Sequence, residues 1–241
     1  MNLKEILEFR RAVRDFDSEK PIDPDVVKEC LKEAQLTPTS SNMQLWEAYH
    51  ITDKIVLEKL AKACLSQSSA KTASQMVVFV VRQDLYRSRA KALFEFEKEN
   101  VKRNSPAEKH EKRIKQWDGY CNKYLPIVYA RFFGLLGLLR KTIALGIGLF
   151  RPIMRQFSES DMRTVVHKSC GMVAQTFMLT MSEKGFDTCP LEGFDSRLVK
   201  KILNLPCSTE INMVVTCGIR SEKGVWGDRF RVSFEEQYHR I

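Results

Sequence analysis

"GFDTCPLEGF", residues 185–194, sets a glycine, a proline and a second glycine around a lone glutamate. Gly185 stands where a helix ends on a left-handed residue. The run before it, capped in the Ser158–Asp161 region, predicts a long amphipathic helix reaching Lys184. Taken alone, Pro190–Phe194 reads as a strand-ending turn. Beyond it "DSRLVKKIL" (195–203) predicts a helix and "INMVVTCGI" (211–219) a strand. Upstream, Asn2 and Glu5 form a capping box for a short first helix. Asp23-Pro24 opens a second that continues through Val26, Val27, Cys30, Leu31 and Ala34. "WEAYHIT" (46–52) and "MVVFVV" (76–81) are β-rich and flank a helical "KIVLEKLAKACL" (54–65). Helices and strands mix without strict alternation, so the expected class is α+β rather than doubly wound α/β.

At 241 residues the chain can bury a full core, and we expect one domain over 1–241. Apolar residues at 44% and charged residues at 29% exclude a disordered or fibrous protein. A net charge of +9 fits nucleic acid, a membrane surface, or an anionic cofactor or substrate. Much of the charge lies in "EFEKENVKRNSPAEKHEKRIKQW" (95–117), where acids alternate with bases. That pattern predicts a solvated helical face, and no nucleic-acid partner is expected.

Seven cysteines, Cys30, Cys64, Cys121, Cys170, Cys189, Cys207 and Cys217, form no C-x-x-C pair. With no secretory signal ahead of them they predict reduced thiols and a cytoplasmic protein. Each is expected to pack as a small apolar residue. The four histidines stand far apart, and no metal is expected.

Residues 124–157, "YLPIVYARFFGLLGLLRKTIALGIGLFRPIMRQF", are strongly apolar and basic. Their charge-free pieces, Phe132–Leu139 and Thr142–Phe150, fall short of the roughly 20 residues a spanning helix needs. On a helix at about 100° per residue, Arg140, Lys141, Arg151 and Arg155 share one sector and leave a broad apolar face. The core or a partner subunit is the expected cover, with contact to a membrane surface the alternative. Gly134, Gly137, Gly146, Gly148 and Pro152 argue against an unbroken helix.

Near the start "RRAVRDF" (10–16) holds Arg10, Arg11 and Arg14. Arg10 and Arg14 share a face if the first helix extends through them. Near the end, Arg229 and Arg231 point the same way in an extended segment. "TPTSSNMQLW" (37–46) supplies hydroxyls, amides and a tryptophan, a composition suited to a loop that hydrogen-bonds a polar ligand.

In their order along the chain, "RRAVRDF", "PTSSNMQLW", "PLEGF" and the pair Arg229 and Arg231 resemble the nitroreductase family of FMN-dependent oxidoreductases. The resemblance spans residues 10–231. It implies a central mixed or antiparallel sheet surrounded by helices, a homodimer, and FMN at the dimer interface. It implies phosphate and ribityl contacts from Arg10, Arg11, Ala12, Arg229 and Arg231, and a cation, Arg14, at the N1/C2 edge of the ring. Pro38, Thr39, Ser40, Asn42 and Gln44 match the loop that contacts flavin from the same or the other subunit. Gln67 falls near the pyrimidine edge. Pro190, Leu191, Glu192 and Gly193 bring bare main chain to flavin N5, glycine allowing the close approach.

Two departures stand out. Ala12 replaces a serine and Leu45 a proline, and one lost neutral hydrogen bond costs about 0.5–1.5 kcal/mol. The 124–157 insert is the larger change. The activity implied is NAD(P)H-dependent reduction of nitroaromatic, quinone or related small acceptors by ping-pong hydride transfer through N5. No catalytic side chain is expected, Glu192 offering its backbone, and without G-x-G-x-x-G no separate dinucleotide domain is expected. The alternatives are a flavin-binding protein without turnover and a flavoprotein held at a membrane surface.

Overall fold

The computed structural model describes residues 1–241. Its organising element is the strand Gln75–Val81 (β2), every residue of which is buried. The run is almost wholly β-branched or aromatic, and alternate residues point to opposite faces. Val77, Phe79 and Val81 enter one apolar cluster, whereas Met76, Val78 and Val80 enter another. Helices must therefore cover both faces.

Trp46–Ile51 (β1), β2, Asp187–Leu191 (β3) and Glu210–Gly218 (β4) form one sheet in the order β1-β2-β4-β3. Every ladder in it is antiparallel. The only parallel pairing is an isolated bridge between Ala12 and Thr188. The expected α+β class holds, with the antiparallel form of the sheet.

The first face is covered by the long helix Glu159–Glu183 (α9). Its Ser158 side chain accepts from the Asp161 amide at 3.1 Å in a capping box, and Gly185 follows its end at φ +82°. Phe177 of α9 meets Phe79 with ring centroids 5.6 Å apart. The helix Pro24–Ala34 (α2) packs beside it through Val27, Cys30 and Ala34. On the other face Lys54–Ala63 (α3), the short Ser68–Thr72 (α4) and Ser196–Ile202 (α10) bury Leu57, Leu60, Ala70 and Val199. All seven cysteine thiols are free, and only Cys207 is exposed.

The first helix, Leu3–Phe9 (α1), has the expected capping box but stops before the arginines, because Arg10 turns extended (φ −63°, ψ 121°). The helical face expected for Arg10 and Arg14 is thus replaced by a strand-like strip.

The polar run 95–117 forms the exposed sides of Tyr86–Asn104 (α5) and His110–Asp118 (α6), separated at Ser105-Pro106. A π-helical stretch, Gly119–Tyr124, continues into Leu125–Tyr129 (α7). After a break with Gly134 at φ +84° comes Leu135–Ile147 (α8). Here the expected grouping of Arg140 with Lys141, Arg151 and Arg155 fails. Arg140 is buried, and its guanidinium donates to the carbonyls of Ile127, Val128, Ala130 and Phe157 at 2.5–3.1 Å. Those carbonyls end α7 and precede α9, and a five-donor fork satisfies acceptors that the broken helix leaves orphaned.

The insert is fastened to the sheet by one carboxylate. Glu210, the first residue of β4, accepts from Arg131 at 2.8 Å, from Arg163 of α9, and from His167 at 3.2 Å. The His167 hydrogen bond and the two guanidinium groups hold its carboxyl down at about 2, against the opposing effect of burial. Because this folded-state value lies below that of the unfolded chain, the stabilisation is complete above about pH 5 and is lost as pH falls towards 2. Glu210→Gln removes that titration. Urea denaturation at a series of pH values should show wild type losing roughly 3 kcal/mol more than the variant between pH 6 and pH 2. Parallel curves for the two proteins would refute the role assigned to Glu210.

Candidate functional site

The strip Arg10–Phe16 runs between β3 and the turn 220–224. The Val13 amide donates to Thr188 O at 3.3 Å and the Arg14 amide to Gly224 O at 2.7 Å, while Ser221 N donates to Asp15 O at 3.1 Å. Asp15 also accepts from the hydroxyls of Ser221 at 2.6 Å and Ser68 at 3.4 Å. The two backbones lie so close that a Cβ on Gly224 would fall 2.4 Å from Asp15 O. Only glycine fits there. Val13 and Phe16 anchor the strip by burying their side chains in the second core cluster.

Alternation then turns Arg10, Ala12 and Arg14 outward. With Arg11 they line a recess of about 230 Å³ whose other wall is Val225, Trp226, Asp228, Arg229, Phe230 and Arg231. Five guanidinium groups from the two ends of the chain meet here. None forms an ion pair with a carboxylate, and Asp228 is the only acid in the lining. Burial lowers the pKa of Arg10, and repulsion from Arg229 and Arg231 lowers it further. Unpaired, partly buried like charges destabilise the chain until an anion joins them.

The five arginines are not equivalent. Arg229 donates to the carbonyls of Leu7, Glu8 and Arg10 at 2.6–3.0 Å, and so caps the C-terminal end of α1. Arg220, which is paired with buried Asp187, donates to Phe9 O at 3.0 Å and completes that cap. Arg11 donates to Gly227 O at 2.8 Å and Arg231 to its neighbour Phe230 O at 2.6 Å. Arg10 and Arg14 make no side-chain hydrogen bond within the chain, so their whole forks are available. The capping role of Arg229 and the support from Arg220 and Asp15 were missed by sequence reading. The lack of any basic residue in the last turn of α1 was the one available signal.

From Thr188 beside Ala12, β3 leads to Pro190 and Leu191. The Leu191 side chain is buried in the second cluster, so only its backbone faces outward. Glu192 and Gly193 lie beyond the last β3–β4 pair, exposed, and their amides find no acceptor in the chain. A Cβ on Gly193 would meet only Gln67 Nε2, at an ordinary 3.5 Å. Nothing inside the chain requires that glycine. Gln67 donates to Gly193 O at 2.9 Å and Cys64 O at 3.1 Å, which consumes its amide hydrogens and leaves Oε1 free.

The loop Pro38–Gln44 is not brought to the arginine recess. It leads into β1, whose first residue lies at the same end of the sheet as the end of β3 but three strands away, roughly 14 Å. Its hydroxyls are largely occupied. Thr39 Oγ1 accepts from Gln44 N at 3.1 Å, Ser40 accepts from Tyr129 at 3.3 Å, and Ser41 pairs with Tyr120 at 2.9 Å. Its backbone is strained, with Ser41, Asn42 and Gln44 at φ 48–51°. Leu65 and Ser66, just before Gln67, show the same feature. Five of the seven non-glycine residues with positive φ thus fall in the Pro38–Gln44 loop or directly before Gln67, and such strain concentrates at functional sites.

The residues present fit FMN. An acid-poor guanidinium recess suits a phosphate dianion, and exposed main-chain amides with a free Gln67 acceptor nearby suit the heteroatom edge of a flavin ring.

The family model described as "Nitroreductase family" matches residues 7–219. The candidate NAD(P)H nitroreductase MhqN of Bacillus subtilis is 24% identical over 214 residues, covering 87% of this chain and 84% of its own. The protein DrgA of Synechocystis is 24% identical over 215 residues, covering 88% and 81%. Among solved structures, the candidate nitroreductase ydfN of Bacillus subtilis superposes with a TM-score of 0.74 at 20% identity, covering 99% of this chain and 98% of that one. A candidate nitroreductase of Exiguobacterium sibiricum, solved in complex with FMN, gives 0.69 at 18% identity, covering 100% and 98%. Because the family's model matches residues 7–219, from α1 through the Arg10–Arg14 strip to the end of β4, this chain belongs to the Nitroreductase family.

Proposed function

We propose that the chain is an FMN-dependent oxidoreductase that takes electrons from NAD(P)H and reduces nitroaromatic, quinone or related small acceptors. The observation that carries this reading is the convergence of five arginines, from residues 10–14 and 229–231, on one recess without a carboxylate partner. When bound, FMN supplies two-electron chemistry at N5, so the chain needs no acid, base or nucleophile of its own.

In this reading Arg10, Arg11 and Arg231 hold the phosphate by charge-assisted bonds. Arg229 contributes charge while it fixes the end of α1, and Ala12 leaves room where a longer side chain would intrude. Arg14 stands further along the strip as an unpaired cation, placed to favour negative charge on the reduced ring. The free amides of Glu192 and Gly193 point outward at the ring end, and Gly193 keeps that surface bare. Gln67 holds Gly193 O, which fixes the direction of the peptide. A homodimer completes the site, with Pro38, Thr39, Ser40, Asn42 and Gln44 of a second copy approaching the ring across the gap that a single chain leaves. The exposed aromatic residues Trp226, Phe230, Phe234 and Tyr238 suit such a contact.

Purified protein should be yellow and release FMN on denaturation. Arg10→Ala and Arg231→Ala should each raise the FMN dissociation constant about 10- to 100-fold by fluorescence titration, as expected for a lost charged hydrogen bond. Under anaerobic stopped flow, NADPH or NADH should bleach the bound flavin. Failure of both donors would refute an enzyme while leaving a flavin-binding protein. Gly224→Ala should lower stability by about 1–3 kcal/mol in urea melts and weaken FMN binding by displacing Arg14. An unchanged midpoint would show that the Asp15 backbone does not need that glycine.

A further inference from the structure

The helix α8 is built inside out. The stripe it lays on the body is Gly137, Arg140 and Ala144, the only buried residues of the helix. Gly137 is there because a Cβ would come 2.5 Å from Glu159 N. Glu159 in turn accepts from the amides of Phe132, Gly134 and Gly137 at 3.0–3.3 Å, fixing the start of α8. The large apolar residues point the other way. Leu135, Leu138, Leu139, Ile143 and Leu145 are all more than half exposed. The turns at either end add Phe133, 95% exposed, Leu149, 82%, and Phe150, 89%. Phe133 is also held at φ 49°, so the most exposed aromatic side chain sits on a strained backbone.

No other part of the chain covers this face, and monomers rarely leave so large an apolar surface bare. Its surroundings decide between occupants. Between Asp118 and Glu159 there is not one acid, while Lys123, Arg131, Arg140, Lys141, Arg151 and Arg155 supply six bases. Of these, Lys141, Arg151 and Arg155 are exposed around the apolar face. Arg155 folds back on the end of α8, donating to Gly148 O at 3.4 Å. A second copy seated symmetrically would bring a second set of these bases around the same face with no acid to offset them, on chains each carrying +9. An anionic lipid surface takes both features at once, the leucines and phenylalanines entering the acyl boundary and the bases meeting headgroups. At 13 residues the helix lies far below spanning length, and no helix of the chain is long and apolar enough to cross a membrane.

From this geometry we infer that α8 and its flanking turns, Phe132–Arg155, form a docking element that lays the protein on an anionic lipid surface. Arg140 ties the element to α7 by donating to Val128 O, and Tyr129 of α7 donates to Ser40 of the strained loop. The inference itself needs neither flavin nor turnover.

Flotation of the full-length protein with vesicles of phosphatidylcholine containing 30% phosphatidylglycerol, against vesicles of phosphatidylcholine alone, tests it. The protein should bind the anionic vesicles and release them at high salt. Lys141→Gln with Arg151→Gln should weaken binding roughly fivefold per charge removed. Phe133→Ser with Phe150→Ser, at fully exposed positions, should weaken it on the order of tenfold with thermal stability unchanged. Absence of binding to either vesicle would overturn the inference. So would a self-association that the phenylalanine pair abolishes while lipid binding stays the same, because that result makes the face an interface between copies. FMN content measured on the same variants keeps this outcome separate from the flavin reading.

Discussion

A sheet buried on both faces constrains everything else in this molecule. β2 offers no face to solvent, and once α9 covers one side of it and α3 and α10 the other, polar chemistry is confined to the ends and edges of the sheet. The arginine strip lies along the β3 edge, the bare amides of Glu192 and Gly193 extend from the end of β3, and the strained loop enters β1 at the opposite edge. The core thus sets the spacing of the groups of the candidate site.

Charge complements that scaffold. Ion pairing elsewhere is ordinary, as in Arg82 with Glu47 and Asp84, or Arg220 with Asp187. The recess departs from this pattern by gathering cations and withholding acids. Such an arrangement lowers the stability of the free chain and raises its affinity for an anion, a trade expected where binding rather than folding has shaped the residues.

Much of this was readable from sequence because the signals were local. Capping boxes at Asn2 and Ser158, Pro24 at a helix start and Gly185 at a helix end act through neighbours within a few residues. The strand run 76–81 carried its own β-rich composition. What stayed hidden depended on distant partners. Arg140 looked like part of a cationic sector because helical spacing cannot reveal that four orphaned carbonyls wait on its inner side. Arg229 looked like a free phosphate ligand because its acceptors, Leu7, Glu8 and Arg10, lie more than two hundred residues away. The arginine cluster itself followed from the order of motifs, and no periodicity contained it.

The clamp of Arg229 on the last carbonyls of α1 also has a meaning for biosynthesis. Chains leave the ribosome from the amino terminus, so helix α1 emerges more than two hundred residues ahead of the Arg229 fork that satisfies its final turn. Its end must wait, frayed and hydrated, while the sheet assembles around β2. The recess can close only after residue 231 has emerged, which makes it a long-range closure. A chain ending between Gly218 and Asp228 would carry all four strands and their covering helices without the arginines that complete the recess.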